Sequence, residues 1–116
     1  MKKVLIVEDE VRRYYSAWQQ ELPSDRVTLL FAASVEEAEE QFSANSDIDV
    51  IAIDACVPGD EPTTLPLVRQ WRQTFTGPMV AISSMSEYRE MLLYAGCDYE
   101  SSKKDLPKKL LEILDL

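Results

Sequence analysis

The feature that most limits what this chain can become is a strict alternation of two hydrophobic periodicities. Continuous apolar runs at residues 3–7, 26–32, 49–54 and 78–83 alternate with segments whose apolar residues recur at helical spacing. Those segments carry Val11, Tyr14, Tyr15, Trp18 and Leu22, then Val35, Ala38 and Phe42, then Leu65, Val68, Trp71 and Phe75. Tyr88, Met91, Leu92 and Ala95 follow, and Leu106, Leu110, Leu111 and Leu114 close the chain. A polar fifth strand is expected over residues 98–102. The aromatic residues Tyr14, Tyr15 and Trp18 are read as core, since rings at helical spacing line an inward stripe.

Local punctuation agrees with this division. Ser34-x-x-Glu37 and Ser84-x-x-Glu87 are capping boxes, Gly96 suits a helix C-terminus and Asp105 an N-cap. Pro23 and Gly77-Pro78 stop helices, and Pro58-Gly59 with Pro62 marks residues 55–62 as a loop. Five strands alternating with five helices through short links require parallel pairing by right-handed crossovers, hence an α/β sheet covered on both faces. A chain of 116 residues supports one such domain, spanning 1–116, and leaves little for a second.

Charge and residue types then exclude whole classes of function. Twelve basic against twenty-one acidic residues give a net charge of −9, which repels nucleic-acid backbones and anionic lipid. No direct nucleic-acid partner and no membrane partner is expected; the apolar runs fall far short of the roughly 20 residues a span requires, and Met1-Lys2-Lys3 leads into a strand. Cys56 and Cys97 lack the spacing of a zinc site or a disulfide framework and are read as reduced thiols in a cytoplasmic protein. Histidine is absent, so Ser/His and Cys/His nucleophilic machinery is excluded and any chemistry runs on carboxylates, hydroxyls and lysines.

In sheets of this kind, ligands sit outside the carboxyl ends of the strands. Glu8, Asp9 and Glu10 follow strand one, Asp54 ends strand three, Ser83 and Ser84 follow strand four, and Lys103 and Lys104 follow strand five. Carboxylates gathered on one rim either hold raised pKa values or bind a hard divalent cation, for which Mg2+ is the natural occupant. Phosphoryl transfer is catalysed mainly by positioning and electrostatic stabilisation, so a cation, a hydroxyl and an ammonium are the groups it needs. The Asp54 carboxylate is then the nucleophile.

These residues resemble two-component response-regulator receivers, the CheY-like superfamily, and the resemblance covers the whole chain. It rests on Val-Leu-Ile-Val-Glu8-Asp9, on Val-Ile-Ala-Ile-Asp54 with Pro58 four positions on, on Pro78-Met-Val-Ala-Ile-Ser83, and on Ala95-Gly96 followed by Lys103. It implies a flavodoxin-like parallel sheet of strand order 2-1-3-4-5, and a signalling switch, not an enzyme beyond its own phosphorylation and hydrolysis. Asp54 would be the phosphoacceptor, with Ser83 and Lys103 as its catalytic partners. Mg2+ would be held by Asp9, Asp54 and the Cys56 backbone carbonyl, with Glu8 acting through water. A histidine kinase or phosphotransfer protein would supply the phosphoryl group, and a downstream protein partner or tethered output domain would read it.

Each assignment has a plainer competitor. Glu8 and Asp9 also suit a helix dipole, which explains one acid better than three. Asp54 also suits a turn cap, although an apolar strand leads into it. Ser84 suits a helix cap, which leaves Ser83 for phosphate. Lys103 also reads as a solvated surface charge, and the two cysteines as small packing residues. The chain also departs from the family pattern. Lys104 stands where receivers have proline after the lysine, and a cis bond there would cost about 2.5–4 kcal/mol. Glu100 stands at the usual aromatic position, Tyr99 is expected on the opposite face of the strand, and Pro62 replaces a glycine before helix three. Two alternatives therefore accompany the phosphorylated switch. One is a phosphorylation-independent interaction module. The other, an aspartate-based phosphatase, is disfavoured because Cys56 stands where its second carboxylate would be needed.

Overall fold

The computed structural model describes all 116 residues. The elements follow in the order β1 (Lys2–Val7), α1 (Val11–Glu21), β2 (Val27–Ala32), α2 (Val35–Ala44), β3 (Val50–Ile53), α3 (Leu65–Arg72), β4 (Met79–Ala81), α4 (Ser86–Ala95), β5 (Tyr99–Glu100) and α5 (Leu106–Leu114). The five strands form one parallel sheet of order β2-β1-β3-β4-β5, as the alternation and the resemblance imply.

Alternation along each strand divides the core between the two faces of the sheet. Leu5, Val7, Ile51, Ile53, Met79 and Ala81 pack with Ala38 of α2, Leu67, Val68 and Trp71 of α3, and Leu92 of α4. Val4, Ile6, Val50, Ala52 and Val80 face the other way, against Trp18 of α1 and Leu106 and Leu110 of α5. Burial on both sides explains why β1 and β3 read as unbroken apolar runs. Each large side chain fully buried there contributes about 1.5–3 kcal/mol.

The pairing register delivers the site. Val7 lies opposite Ile53, so Glu8 and Asp54 leave the sheet side by side, and the Asp54 amide donates to the Val7 carbonyl at 3.0 Å. Ile53 lies opposite Ala81 and Ala81 opposite Glu100, which brings Ser83 and Lys103 to the same rim.

Several local expectations are corrected. The Ser34 box forms, with Ser34 Oγ accepting the Glu37 amide, while Glu37 reaches back to the Ala33 amide at 3.3 Å. The Ser84 box does not form: α4 starts two residues later with Met85 in the cap position, and Ser84 stays exposed with its carbonyl turned to Arg89. Helix α3 ends at Arg72, short of Phe75, where the helical bonds give way to three-residue turn bonds from the Gln73 and Thr74 amides to the Gln70 and Trp71 carbonyls, and the Arg72 guanidinium binds the carbonyls of Phe75 and Gly77 at 2.6 and 2.7 Å. Strand β5 shrinks to two residues, since Ser101 and Ser102 have nothing apolar to bury. Ser102 Oγ instead accepts the Asp105 amide, and Asp105 occupies the N-cap of α5 without a side-chain bond of its own. Tyr15 is 39% exposed and not core; its ring lies 5.1 Å from Phe31 on the edge strand β2, at the margin of the packed layer. The one cis peptide bond is Val57–Pro58, so the Lys103–Lys104 bond is trans.

Candidate functional site: an acidic rim closed by a lysine

At the carboxyl end of the sheet, one carboxylate oxygen from each of Glu8, Asp9 and Asp54 lies within 4.8 Å of the others. Lys103 reaches between them, with Nζ 2.6 Å from Glu8 Oε2 and 2.9 Å from Asp54 Oδ2. Ser83 donates its hydroxyl to Asp54 Oδ1 at 2.6 Å and accepts the Ala55 amide at 2.9 Å. The Cys56 amide adds a longer bond to Asp54 Oδ1 at 3.3 Å. Both Asp54 oxygens are thereby fixed in direction before any ligand arrives. All of these but the buried Glu8 open onto a cleft of about 440 Å3, whose rim includes Asp60, Met85 and Tyr88. A larger groove of about 610 Å3 beside α1 and β2 is lined by no ionisable side chain and offers none of this chemistry.

Electrostatics explain why the cluster is held so tightly. Glu8 is fully buried, and burial pushes its carboxyl up to about 7 against the opposing pull of Lys103. Its contact with Lys103 is a close ion pair, and no other donor reaches Glu8 Oε2. Burial works against the Lys103 ammonium, but the carboxylates of Glu8 and Asp54 outweigh it and raise its pKa above the ordinary lysine range. Asp9 has the opposite fate. Partial burial resists its charge, yet the Gly59 amide, donating to Oδ2 at 3.0 Å, holds the carboxyl below its usual range. Gly59 sits at φ +89°, in the left-handed region that lets the loop turn its amide onto Asp9.

The residues present fit a divalent cation. Three clustered carboxylates against one ammonium leave a formal charge of −2, all the donors are hard oxygens, and no backbone amide donates to the neighbouring Cys56 carbonyl.

Of the residues singled out from sequence, Glu8, Asp9, Asp54, Ser83 and Lys103 converge. Glu10 and Ser84 reach only the rim, with Glu10 in the cap position of α1, and Lys104 lines a separate groove with Glu21. Lys103 is 8% exposed, which excludes the solvated-surface reading. Burial raises both thiols, Cys97 to about 12, in keeping with packing roles.

Four supports escaped the sequence reading. Thr64 is fully buried and donates to the Asp54 carbonyl at 2.7 Å, tying the loop after β3 to the start of α3. Trp18, expected as core, is core, but its indole N–H also donates to the Lys103 carbonyl at 2.8 Å. Tyr14 stacks on Trp18 at 5.4 Å and lies 5.8 Å below the Lys103 ammonium. Arg89 bonds the carbonyl of Ser83 at 2.8 Å. The spacing of Trp18 pointed only to the core, and no local signal marks its bond to a carbonyl 85 residues away.

At the level of sequence, no family model matches this chain and no curated protein is significantly similar to it. Solved structures are similar. A CheY-like response regulator receiver domain protein from Methanospirillum hungatei superposes with a TM-score of 0.75 at 21% identity, over 99% of this chain and 94% of that one. A two-component response regulator from Clostridium difficile gives 0.76 at 21% identity, over 99% and 97%. A response regulator protein from Thermotoga maritima, solved in complex with Mg2+ and BeF, gives 0.75 at 23% identity, over 97% and 99%. The parallel five-stranded sheet and its strand order thus belong to a known architecture: the chain has the fold of response-regulator receiver domains, along nearly its whole length.

Proposed function

We propose that residues 1–116 act as a single receiver-like signalling domain in which Asp54 accepts a phosphoryl group. The observation that carries this reading is the Lys103 ammonium lodged between two buried carboxylates while the Ser83 hydroxyl engages the second of them. An isolated structural ion pair needs no third, more exposed acid and no open cleft; a phosphoryl acceptor needs both. The Asp54 carboxylate would attack phosphorus in line, forming an O–P bond as the donor's bond to phosphorus breaks. The donor, a phosphohistidine of a kinase or phosphotransfer protein, leaves as neutral imidazole after taking up a proton. Lys103 and Ser83 lie where charge on the phosphoryl oxygens needs stabilising. Asp9, Asp54 and the Cys56 carbonyl would hold Mg2+, with Glu8 contributing through water. The cation, when bound, supplies charge neutralisation between Asp54 and an incoming phosphate.

The phosphate would then shift the balance between two surface states that a downstream protein or a tethered output domain distinguishes. The same fold and a bound Mg2+ and BeF in the Thermotoga protein support this reading. Reduced cysteines and a net charge of −9 support a cytoplasmic setting without nucleic-acid contact, and no helix is long and apolar enough to cross a membrane. The test is intact-mass analysis after incubation with a small acyl-phosphate donor and Mg2+. A single phosphoryl adduct is expected on the wild type and none on Asp54→Asn.

A second reading is favoured by one feature. Glu100, at the usual aromatic position, is engaged by Arg89 at 2.9 Å, which supports an interaction module independent of phosphorylation. An unmodified wild-type chain in the same experiment would select it.

A further inference from the structure

Arg89 occupies an unusual station. It lies close to the amino end of α4, where a cation gains nothing from the helix dipole. Its side chain is only 21% exposed and makes three polar contacts, none of them with its own helix. Nη1 donates to the Ser83 carbonyl at 2.8 Å and to the Ser84 carbonyl at 3.3 Å, and Nε donates to Glu100 Oε1 on β5 at 2.9 Å. The segment it holds has little else to hold it. β4 ends at Ala81, Ile82 keeps one bond to Ile53, Ser84 and Met85 are exposed, and the expected Ser84 cap is missing. Yet the Ser83 hydroxyl in this segment must both accept the Ala55 amide and donate to Asp54.

We infer that Arg89 is a positioning residue for the Ser83 hydroxyl, held in its working orientation by Glu100, so that β5 sets the aim of a group that acts on Asp54. The inference rests on the phosphoacceptor reading for its functional consequence, but its geometric part does not. With Nη1 shared between two consecutive carbonyls and Nε on Glu100, the guanidinium fixes the direction in which Ser83 leaves β4. Glu100 fixes the guanidinium in turn, from an element that contributes nothing else to the loop. Lysine would keep the charge and lose the fork.

Two measurements on the full chain test this. In metal-free protein, hydrogen exchange at the Ala55 amide reports the Ser83 hydroxyl directly. Arg89→Ala is expected to accelerate it about tenfold relative to amides in β1, with Arg89→Lys intermediate and serving as the second variant should alanine fail to fold. Tenfold corresponds to about 1.4 kcal/mol of opening free energy, the size of one hydrogen bond. In the phosphorylation assay, Arg89→Ala is expected to slow adduct formation by a comparable factor, and Glu100→Gln to slow it less. In a Ser83→Ala background, Arg89→Ala is expected to add nothing, which a merely structural role would not produce. Unchanged Ala55 exchange, or an equal loss of rate with and without the Ser83 hydroxyl, would overturn the inference. A wild type that takes up no phosphate would sink the phosphoacceptor reading, and the Ala55 measurement alone would then decide the role of Arg89.

Discussion

The two halves of the rim are built by different means. Glu8, Asp9 and Asp54 stand at the ends of β1 and β3, adjacent central strands buried on both faces, and the backbone register sets their separation. Ser83 and Lys103 stand beyond β4 and β5, strands of three and two residues, and side chains from elsewhere hold them: Arg89 for Ser83, Trp18 for Lys103. The central half is fixed by the sheet, and the edge half by individual hydrogen bonds. A site made this way can keep its acids rigid while Ser83 and Lys103 remain adjustable.

Breaking the edge half at its charged centre should have the largest effect. Lys103→Met keeps much of the volume and removes the ammonium shared by Glu8 and Asp54. Acceptance of phosphate from an acyl-phosphate donor is expected to fall about 10²–10³-fold in folded protein, the range for losing one preorganised charge-stabilising group. A smaller effect, of a different kind, is expected in the central half. Thr64→Val leaves the Asp54 carbonyl without its hydroxyl partner in a fully buried setting, and urea unfolding should show a loss of about 1–3 kcal/mol.

Trp18→Phe sharpens the contrast further. It preserves a ring in the stack with Tyr14 and Phe31 while deleting the bond to the Lys103 carbonyl and part of the buried indole volume. The phosphorylation rate should drop about tenfold, by loosening the lysine. A rate unchanged from wild type would mean that the lysine turn holds its own shape.

A last contrast concerns pH. The Glu8 carboxyl is raised from 4.5 to about 7, so the folded state binds a proton that the unfolded chain has released across that window. Stability of the metal-free protein should therefore decline as pH rises from about 4.5 to about 7 and level off above it. Glu8→Gln, which cannot ionise, should remove that decline from the profile of unfolding midpoints against pH.

The same contrast explains what was legible in the sequence. The fold and the acids were readable because β1 and β3 are apolar throughout and end abruptly in carboxylates, so strand, strand end and site coincide. Ser83 and Lys103 were found by their offsets from apolar and glycine landmarks, but how they are held was not, because the supports lie far off in sequence. Trp18 has the spacing of an ordinary core residue, and nothing local marks its second bond to residue 103. Arg89 and Glu100 look like two surface charges until the chain folds. Ser84 misled because a capping box is a local signal, and the Arg89 contacts with the preceding carbonyls delay the start of α4.

The most direct test of a site shared between acids and phosphate is amide NMR of the isotopically labelled protein, titrated first with Mg2+ and then with beryllofluoride. Mg2+ alone should move the amides of Asp9, Asp54, Cys56 and Gly59, and beryllofluoride should extend the changes to Ala55, Ser83 and Lys103 and no further without Mg2+. Shifts scattered over the acidic surface of α2, or none at the ends of β1 and β3, would contradict a single cation and phosphoryl site at Asp54.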